Sequence, residues 1–71
     1  MTVTKTLDLS GTSGESIEAA IEEAISRAAL TISDVREFEI AKVTGSVRGG
    51  RVDEYRVWIK VTFVVKETLH E

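Results

Sequence analysis

Residues 52–66 contain a segment of alternating apolar side chains that constrains the fold of this 71-residue chain more than any other. The segment has neither glycine nor proline. A period of two residues is typical of a β-strand with one buried face. The other face carries Arg56, Lys60 and the single tryptophan, Trp58, so we expect it to contact another subunit or a ligand. The buried positions are Tyr55, Val57, Ile59, Val61 and Phe63.

A helix is predicted upstream, because apolar residues recur there at intervals of three and four positions. Glycine and serine at residues 10–14 favour a turn that leads into this helix. Thr12 and Glu15 have the spacing of a capping box, and Ser13 is an equally good N-cap residue. Small residues in the apolar stripe indicate close packing of the helix on a sheet. The stripe consists of Ile17, Ala20, Ile21, Ala24, Ile25 and Ala28.

Two further strands are predicted, at residues 2–9 and 36–47. The apolar parity of the second of these strands changes near Ile40–Ala41, which indicates a β-bulge. Gly49-Gly50 then predicts a tight turn into the alternating segment. The order β-α-β-β gives an α+β fold, with a three-stranded antiparallel sheet that lays one face on the helix. A single helix leaves the other face to water or to neighbouring subunits.

Size and composition favour a single domain over residues 1–71 that oligomerises, because so short a chain has a marginal core and no cysteine for disulfides. The net charge of −3 argues against nucleic-acid binding. No segment approaches the roughly 20 apolar residues of a membrane span, and the N-terminus lacks the apolar core of a secretory signal. We therefore expect a cytoplasmic protein with no nucleic-acid or membrane partner.

Catalytic side chains are scarce, so we do not expect an enzyme. The only histidine, His70, lies in a predicted frayed tail, and without cysteine no nucleophile–histidine pair is available within one subunit. Glu37 and Glu39 share a strand face, and their clustering across a symmetry axis would create an ion site. Arg56 and Trp58 carry the stronger signal, since Trp stacks on planar ligands and Arg donates to carbonyls or phosphate. An oligomer interface is the competing interpretation.

The chain resembles the dodecin family over nearly its whole length. No single motif carries the resemblance; the order and spacing of several short motifs do. These are Leu9-Ser10-Gly11-Thr12-Ser13, Ala19-Ala20-Ile21 with Ala24 and Arg27-Ala28, Phe38-Glu39-Ile40 with Gly45, and Glu54-Tyr55-Arg56-Val57 with Val61-Thr62-Phe63.

The resemblance implies a β-α-β-β protomer whose sheet wraps partly around its helix, assembled into a hollow homododecamer. It also implies binding of a flavin (riboflavin, FMN or FAD) for storage or sequestration. In flavin-binding members, a Trp two residues before the Glu-Ile pair stacks on the flavin, and a Gln after the Tyr of the last strand hydrogen-bonds the ring. This sequence has Glu37 and Arg56 at those two positions.

Two functions are therefore expected. The first is a flavin-binding dodecin with an altered pocket formed by Arg56, Glu37 and Trp58, in which Trp58 supplies a relocated stacking surface. The alternative is a dodecin-like shell that binds a divalent cation or another small molecule instead of flavin. The sequence leaves the metal content open.

Overall fold

The computed structural model describes residues 2–65, which form one helix and a three-stranded antiparallel sheet. The strands lie in the order β1-β3-β2, so β3 is central. This arrangement confirms the predicted β-α-β-β order and α+β class. The elements are β1 (Thr4–Ser13), α1 (Ile17–Thr31), β2 (Val35–Arg48) and β3 (Arg51–Val64).

The first strand is longer than predicted. β1 pairs with β3 from Thr4 opposite Val64 to Ser13 opposite Tyr55. The prediction of a turn at residues 10–14 is wrong for residues 10–13, because the 14-residue β3 offers them hydrogen-bonding partners. Only Gly14 to Ser16 are left to connect β1 to the helix.

The helix begins later than predicted, and its N-cap residue is Ser16. The Ser16 side chain accepts a hydrogen bond from the backbone N–H of Ala19 at 2.9 Å, as expected of a serine N-cap. Thr12 and Ser13 are not the cap, because both belong to β1 and pair with β3. The Ser13 hydroxyl instead accepts from the backbone N–H of Glu15 at 2.9 Å.

The core lies between the alanines of α1 and the central strand. Val57, Ile59 and Val61 are at most 1% exposed, which confirms the middle of the buried face predicted from the alternation. Tyr55 and Phe63, at its two ends, are only partly buried. Gly11 of β1 allows the close approach of the helix. A Cβ atom at Gly11 would lie 2.6 Å from the Ala20 carbonyl oxygen, so only glycine fits there. Three helix residues are buried: Ala20, Ala24 and Ala28.

The connection from α1 to β2 is fixed by Asp34, which adopts a positive φ of 65°, a conformation that Asp tolerates better than most residues. Its carbonyl oxygen accepts from the Val64 N–H at 3.2 Å. Its carboxylate accepts from Arg36 Nε at 2.7 Å. This hydrogen bond and the attraction between the two charges raise the pKa of Arg36 above its ordinary value.

The predicted bulge in β2 is confirmed. Ile40 lies opposite Ile59 and Lys42 lies opposite Trp58, so Ala41 is an extra residue between adjacent rungs of the ladder. A one-residue insertion reverses the face on which later side chains lie. Val43 therefore returns to the helix side of the sheet, and Lys42 lies on the opposite side.

Most of β2 is left without a covering layer, although Val35 at its start packs against the core. Its helix-side residues Phe38, Ile40 and Val43 are 40–45% exposed.

The hairpin continues to Gly49 and Gly50, whose φ values of 59° and 79° confirm the predicted turn. The protein measures 62 × 19 × 13 Å, with a radius of gyration of 15.3 Å. A compact chain of this length would have a radius of gyration of about 11 Å.

Within residues 2–65, no helix has the length and apolar character needed to cross a membrane. The last predicted strand, 52–66, is observed as Arg51–Val64. Lys66 and the predicted tail containing His70 lie outside the described residues.

Candidate functional site

The candidate site lies on the sheet surface that faces away from α1, which we call the open face. Residues opposite each other in an antiparallel pair point to the same side of the sheet. The register therefore arranges the open face in rows that run from β1 through β3 to β2. Four successive rows are Thr12–Arg56–Thr44, Ser10–Trp58–Lys42, Asp8–Lys60–Glu39 and Thr6–Thr62–Glu37.

Trp58 is half-buried near the middle of the open face. The Lys42 Nζ atom lies 4.3 Å from the centroid of the Trp58 ring. The Arg56 Cζ atom lies 5.7 Å from the same centroid. Both distances are within the range of about 6 Å at which cations are attracted to an aromatic ring. The tryptophan ring therefore lies close to two positive charges.

Two shallow depressions flank Trp58. The larger has a volume of about 480 Å³ and extends toward Asp8, Ala41 and Lys60. The smaller, about 200 Å³, extends toward Arg56 and Glu54. Ligand pockets commonly measure roughly 300–1,000 Å³ and enclose most of their ligand. Both depressions are open, so a single protomer supplies one wall of a pocket rather than a closed one.

Charge is distributed unevenly along the open face. Lys60 lies between Asp8 and Glu39 in its row, so opposite charges face it from both sides. The row of Trp58 instead contains the neutral Ser10 and the cation Lys42. Positive charge is therefore concentrated around Trp58, and negative charge toward the end that contains Glu37 and Glu39.

The structure brings together two of the three predicted site residues. Arg56 and Trp58 are neighbours on the open face, as their spacing predicted. Glu37 lies on the same face but opposite Thr62, two rows beyond Trp58. At a strand rise of about 3.3 Å per residue, that separation is about 13 Å. Within one protomer, Glu37 is therefore a separate position from the Arg56–Trp58 pair.

Sequence reasoning missed Lys42. By simple alternation Lys42 shares the parity of Phe38 and Ile40, which lie on the helix side. Only the bulge at Ala41 moves it to the open face beside Trp58. The bulge was the available signal, because a one-residue insertion moves the next side chain to the other face of the strand.

Metal ligands are dispersed in the protomer. Among residues 2–65, no group of three or more His, Cys, Asp or Glu side chains could hold a metal ion. Glu37 and Glu39 lie in adjacent rows of the open face, and two carboxylates are fewer ligands than a calcium ion takes. A cation site that includes them requires ligands from further protomers.

The fold and the open face define a small α+β protein whose sheet is covered by one helix on one side only. The Dodecin family model matches residues 3–66. A curated relative, the dodecin of Thermus thermophilus, is 39% identical over 66 residues, which cover 93% of this chain and 96% of the relative. The chain belongs to the dodecin family.

Solved structures agree with this assignment. The dodecin from Streptomyces davaonensis superposes with a TM-score of 0.88 at 32% identity, covering 93% of this chain and 97% of that one. A calcium-chelating antigen from Mycobacterium tuberculosis, described as a calcium dodecin with a novel calcium-binding site, gives a TM-score of 0.78 at 30% identity. That match covers 97% of this chain and 99% of the antigen.

Proposed function

We propose that this protein is a non-enzymatic, homododecameric dodecin that binds a flavin (riboflavin, FMN or FAD) for storage or sequestration. The observation that carries the proposal is the Trp58 ring beside Arg56 on the open face. An indole ring offers an aromatic surface on which a planar isoalloxazine stacks. The adjacent guanidinium donates hydrogen bonds to the ring carbonyls or to a phosphate.

Trp58 replaces the stacking surface that Glu37 lacks. The family resemblance puts a stacking Trp at the position of Glu37, and a carboxylate offers no aromatic surface. Arg56 stands where the resemblance puts a ring-binding Gln. Arg56 donates hydrogen bonds but does not accept them, so it recognises the carbonyl side of a flavin and not its N–H group. The pocket therefore keeps stacking and donation but uses different residues.

Self-association is supported by the apolar surface of β2. Phe38, Ile40 and Val43 are 40–45% exposed on the helix side of the sheet, and Val47 is 70% exposed near the tip of the hairpin. Contiguous exposed apolar residues of this kind mark interaction surfaces. The shallow depressions around Trp58 also require a second wall. We propose that other copies of the chain supply both, that residues 1–71 act as one domain, and that the assembly is cytoplasmic.

Titration of the protein into riboflavin and lumichrome, followed by ligand and Trp58 fluorescence, tests the flavin proposal. We expect saturable quenching at micromolar ligand. Trp58→Ala should abolish the quenching of the ligand's fluorescence, while light scattering shows that the oligomer remains. A double variant, Glu37→Trp with Arg56→Gln, restores the residues implied by the family resemblance and serves as a positive control for binding. Absence of quenching in the unmodified protein, with binding by the double variant, would contradict the proposal.

A divalent cation is the second candidate ligand, and the calcium dodecin among the structural relatives favours it. Its ligands here would be Glu37 and Glu39, repeated around a symmetry axis of the assembly. Chelator treatment should then lower the thermal midpoint or the assembly mass, and Glu37→Gln should remove that sensitivity. Identical mass and midpoint with and without chelator would rule out a structural cation.

A further inference from the structure

We infer that Lys42 is a specificity residue that makes the Trp58 site select planar ligands carrying an anionic group, such as FMN, over neutral ones such as riboflavin. This inference rests on the proposed function, because it concerns the same site. It concerns a residue outside the three that the sequence indicated, and it assigns a role to the bulge in β2.

The bulge directs Lys42 onto the tryptophan. Ile40 pairs with Ile59, Lys42 pairs with Trp58, and Ala41 is the extra residue between them. Without that insertion, Lys42 would share the helix-side face with Ile40. With it, the Lys42 Nζ atom lies 4.3 Å from the ring centroid of Trp58. Bulges are frequent where a side chain must be re-aimed next to a functional site.

The charge of Lys42 is not neutralised by its neighbours in the row. Its register partner is Trp58, and the third member of the row is Ser10. The flanking row on one side contributes Arg56 between two threonines, and Glu54 lies beyond Arg56 at the smaller depression. Lys60, in the row on the other side, differs because Asp8 and Glu39 face it from both neighbouring strands. The Lys42 Nζ atom is also closer to the Trp58 ring centroid, at 4.3 Å, than the Arg56 Cζ atom, at 5.7 Å, so Lys42 is well placed to attract an anion to the tryptophan.

A ligand that stacks on Trp58 must interact with this ammonium group. A neutral flavin displaces Lys42 from the ring and gains no ionic contact in return. A flavin with a phosphate displaces it equally but provides a new anionic partner for both Lys42 and Arg56. Hydrogen bonds between charged groups are roughly twice as strong as neutral ones. We therefore expect FMN to bind about tenfold more tightly than riboflavin, the factor that corresponds to one such contact at a partly exposed site.

The test compares dissociation constants of FMN and riboflavin for the assembled protein and two charge variants at low ionic strength. In the unmodified protein, FMN should bind about tenfold more tightly than riboflavin. Lys42→Gln should bring the two constants together by weakening FMN binding alone. Lys5→Gln is the matched control, because it also removes one lysine but lies opposite Phe63 on the other face of the sheet, and it should leave the ratio unchanged. Light scattering checks that all three proteins form the same oligomer.

The outcomes separate this inference from the proposed function. Equal dissociation constants of FMN and riboflavin in the unmodified protein would overturn the role of Lys42 and leave flavin binding intact. A ratio lost equally in both lysine variants would also overturn it, because the preference would then reflect overall charge. Absence of binding by either flavin would contradict the proposed function, and this inference with it.

Discussion

β1 and β2 pair with the same central strand, yet only β1 lies beneath the helix. On the covered side, Val57, Ile59 and Val61 are at most 1% exposed beneath the alanines of α1. On β2, Ile40 lies directly opposite Ile59 and faces the same way, but it is 45% exposed. An apolar face alone does not make a core. A second layer must reach it, and here the second layer leaves most of β2 uncovered.

Dimensions explain the difference. α1 has 15 residues and is therefore about 22 Å long. The hairpin strands have 14 residues each and extend about 46 Å. Gly11 and the small helix residues hold α1 close to β1 and β3. The helix is thus too short to cover the length of the hairpin, and the residue of β2 that packs against the core is Val35, at the start of the strand.

The paired isoleucines provide the largest expected contrast. Ile59→Ala should lower the free energy of unfolding by about 2–5 kcal/mol, because it leaves a cavity in a closely packed core. Ile40→Ala should preserve the circular dichroism spectrum but increase dissociation on dilution, as measured by light scattering. If Ile59→Ala fails to fold, Ile59→Val should still cost about 0.5–1.5 kcal/mol. Equal losses of protomer stability from Ile59→Ala and Ile40→Ala would break the distinction between the two sides.

The glycines before the helix test the close approach on the covered side. Gly11→Ala should cost about 1–3 kcal/mol by overpacking, because its Cβ would lie 2.6 Å from the Ala20 carbonyl oxygen. Gly14→Ala is the matched control, since the nearest atom to its Cβ would be the Asp53 carbonyl oxygen, an ordinary 3.6 Å away. Urea unfolding of both variants measures the difference. A Gly11 variant as stable as the Gly14 variant would show that the helix lies farther from β1.

The helix start gives the smallest of the three effects. Ser16→Ala should cost about 1 kcal/mol, because the Ala19 N–H loses its side-chain acceptor. Ser13→Ala removes only the hydroxyl that accepts from the exposed Glu15 N–H, and should cost less. Thermal unfolding at one protein concentration compares the two variants. A larger loss from Ser13→Ala than from Ser16→Ala would favour Ser13, one of the two N-cap residues that the sequence predicted, over Ser16.

Much of the fold was predictable because its main signals are local. The alternation of Tyr55 to Phe63, the stripe of α1, the bulge near Ala41 and the Gly49-Gly50 turn all depend on residues close in sequence. The start of the helix was not predictable in the same way. Thr12, Ser13 and Ser16 are all acceptable N-cap residues, and the choice among them depends on how far β1 continues along β3. Pairing between distant strands decides that extent.

The candidate site was only partly predictable. Arg56 and Trp58 are two residues apart on one strand, so alternation alone brings them together. Lys42 reaches Trp58 only through pairing of β2 with β3 and the shift introduced by Ala41. Glu37 matches a functional position of the family in sequence, yet lies two rows from Trp58 in the protomer. Glu37 approaches a ligand at Trp58 only if a neighbouring protomer brings it there, and local sequence patterns do not reveal contacts between protomers.

Native mass spectrometry of the protein incubated with FMN tests the central claim most directly, since it reports the number of subunits and the bound ligand together. We predict an assembly of twelve protomers of 7.8 kDa that retains FMN. A ligand-free monomer of 7.8 kDa would contradict the account. A dodecamer without FMN would confirm the assembly and contradict flavin binding at Trp58.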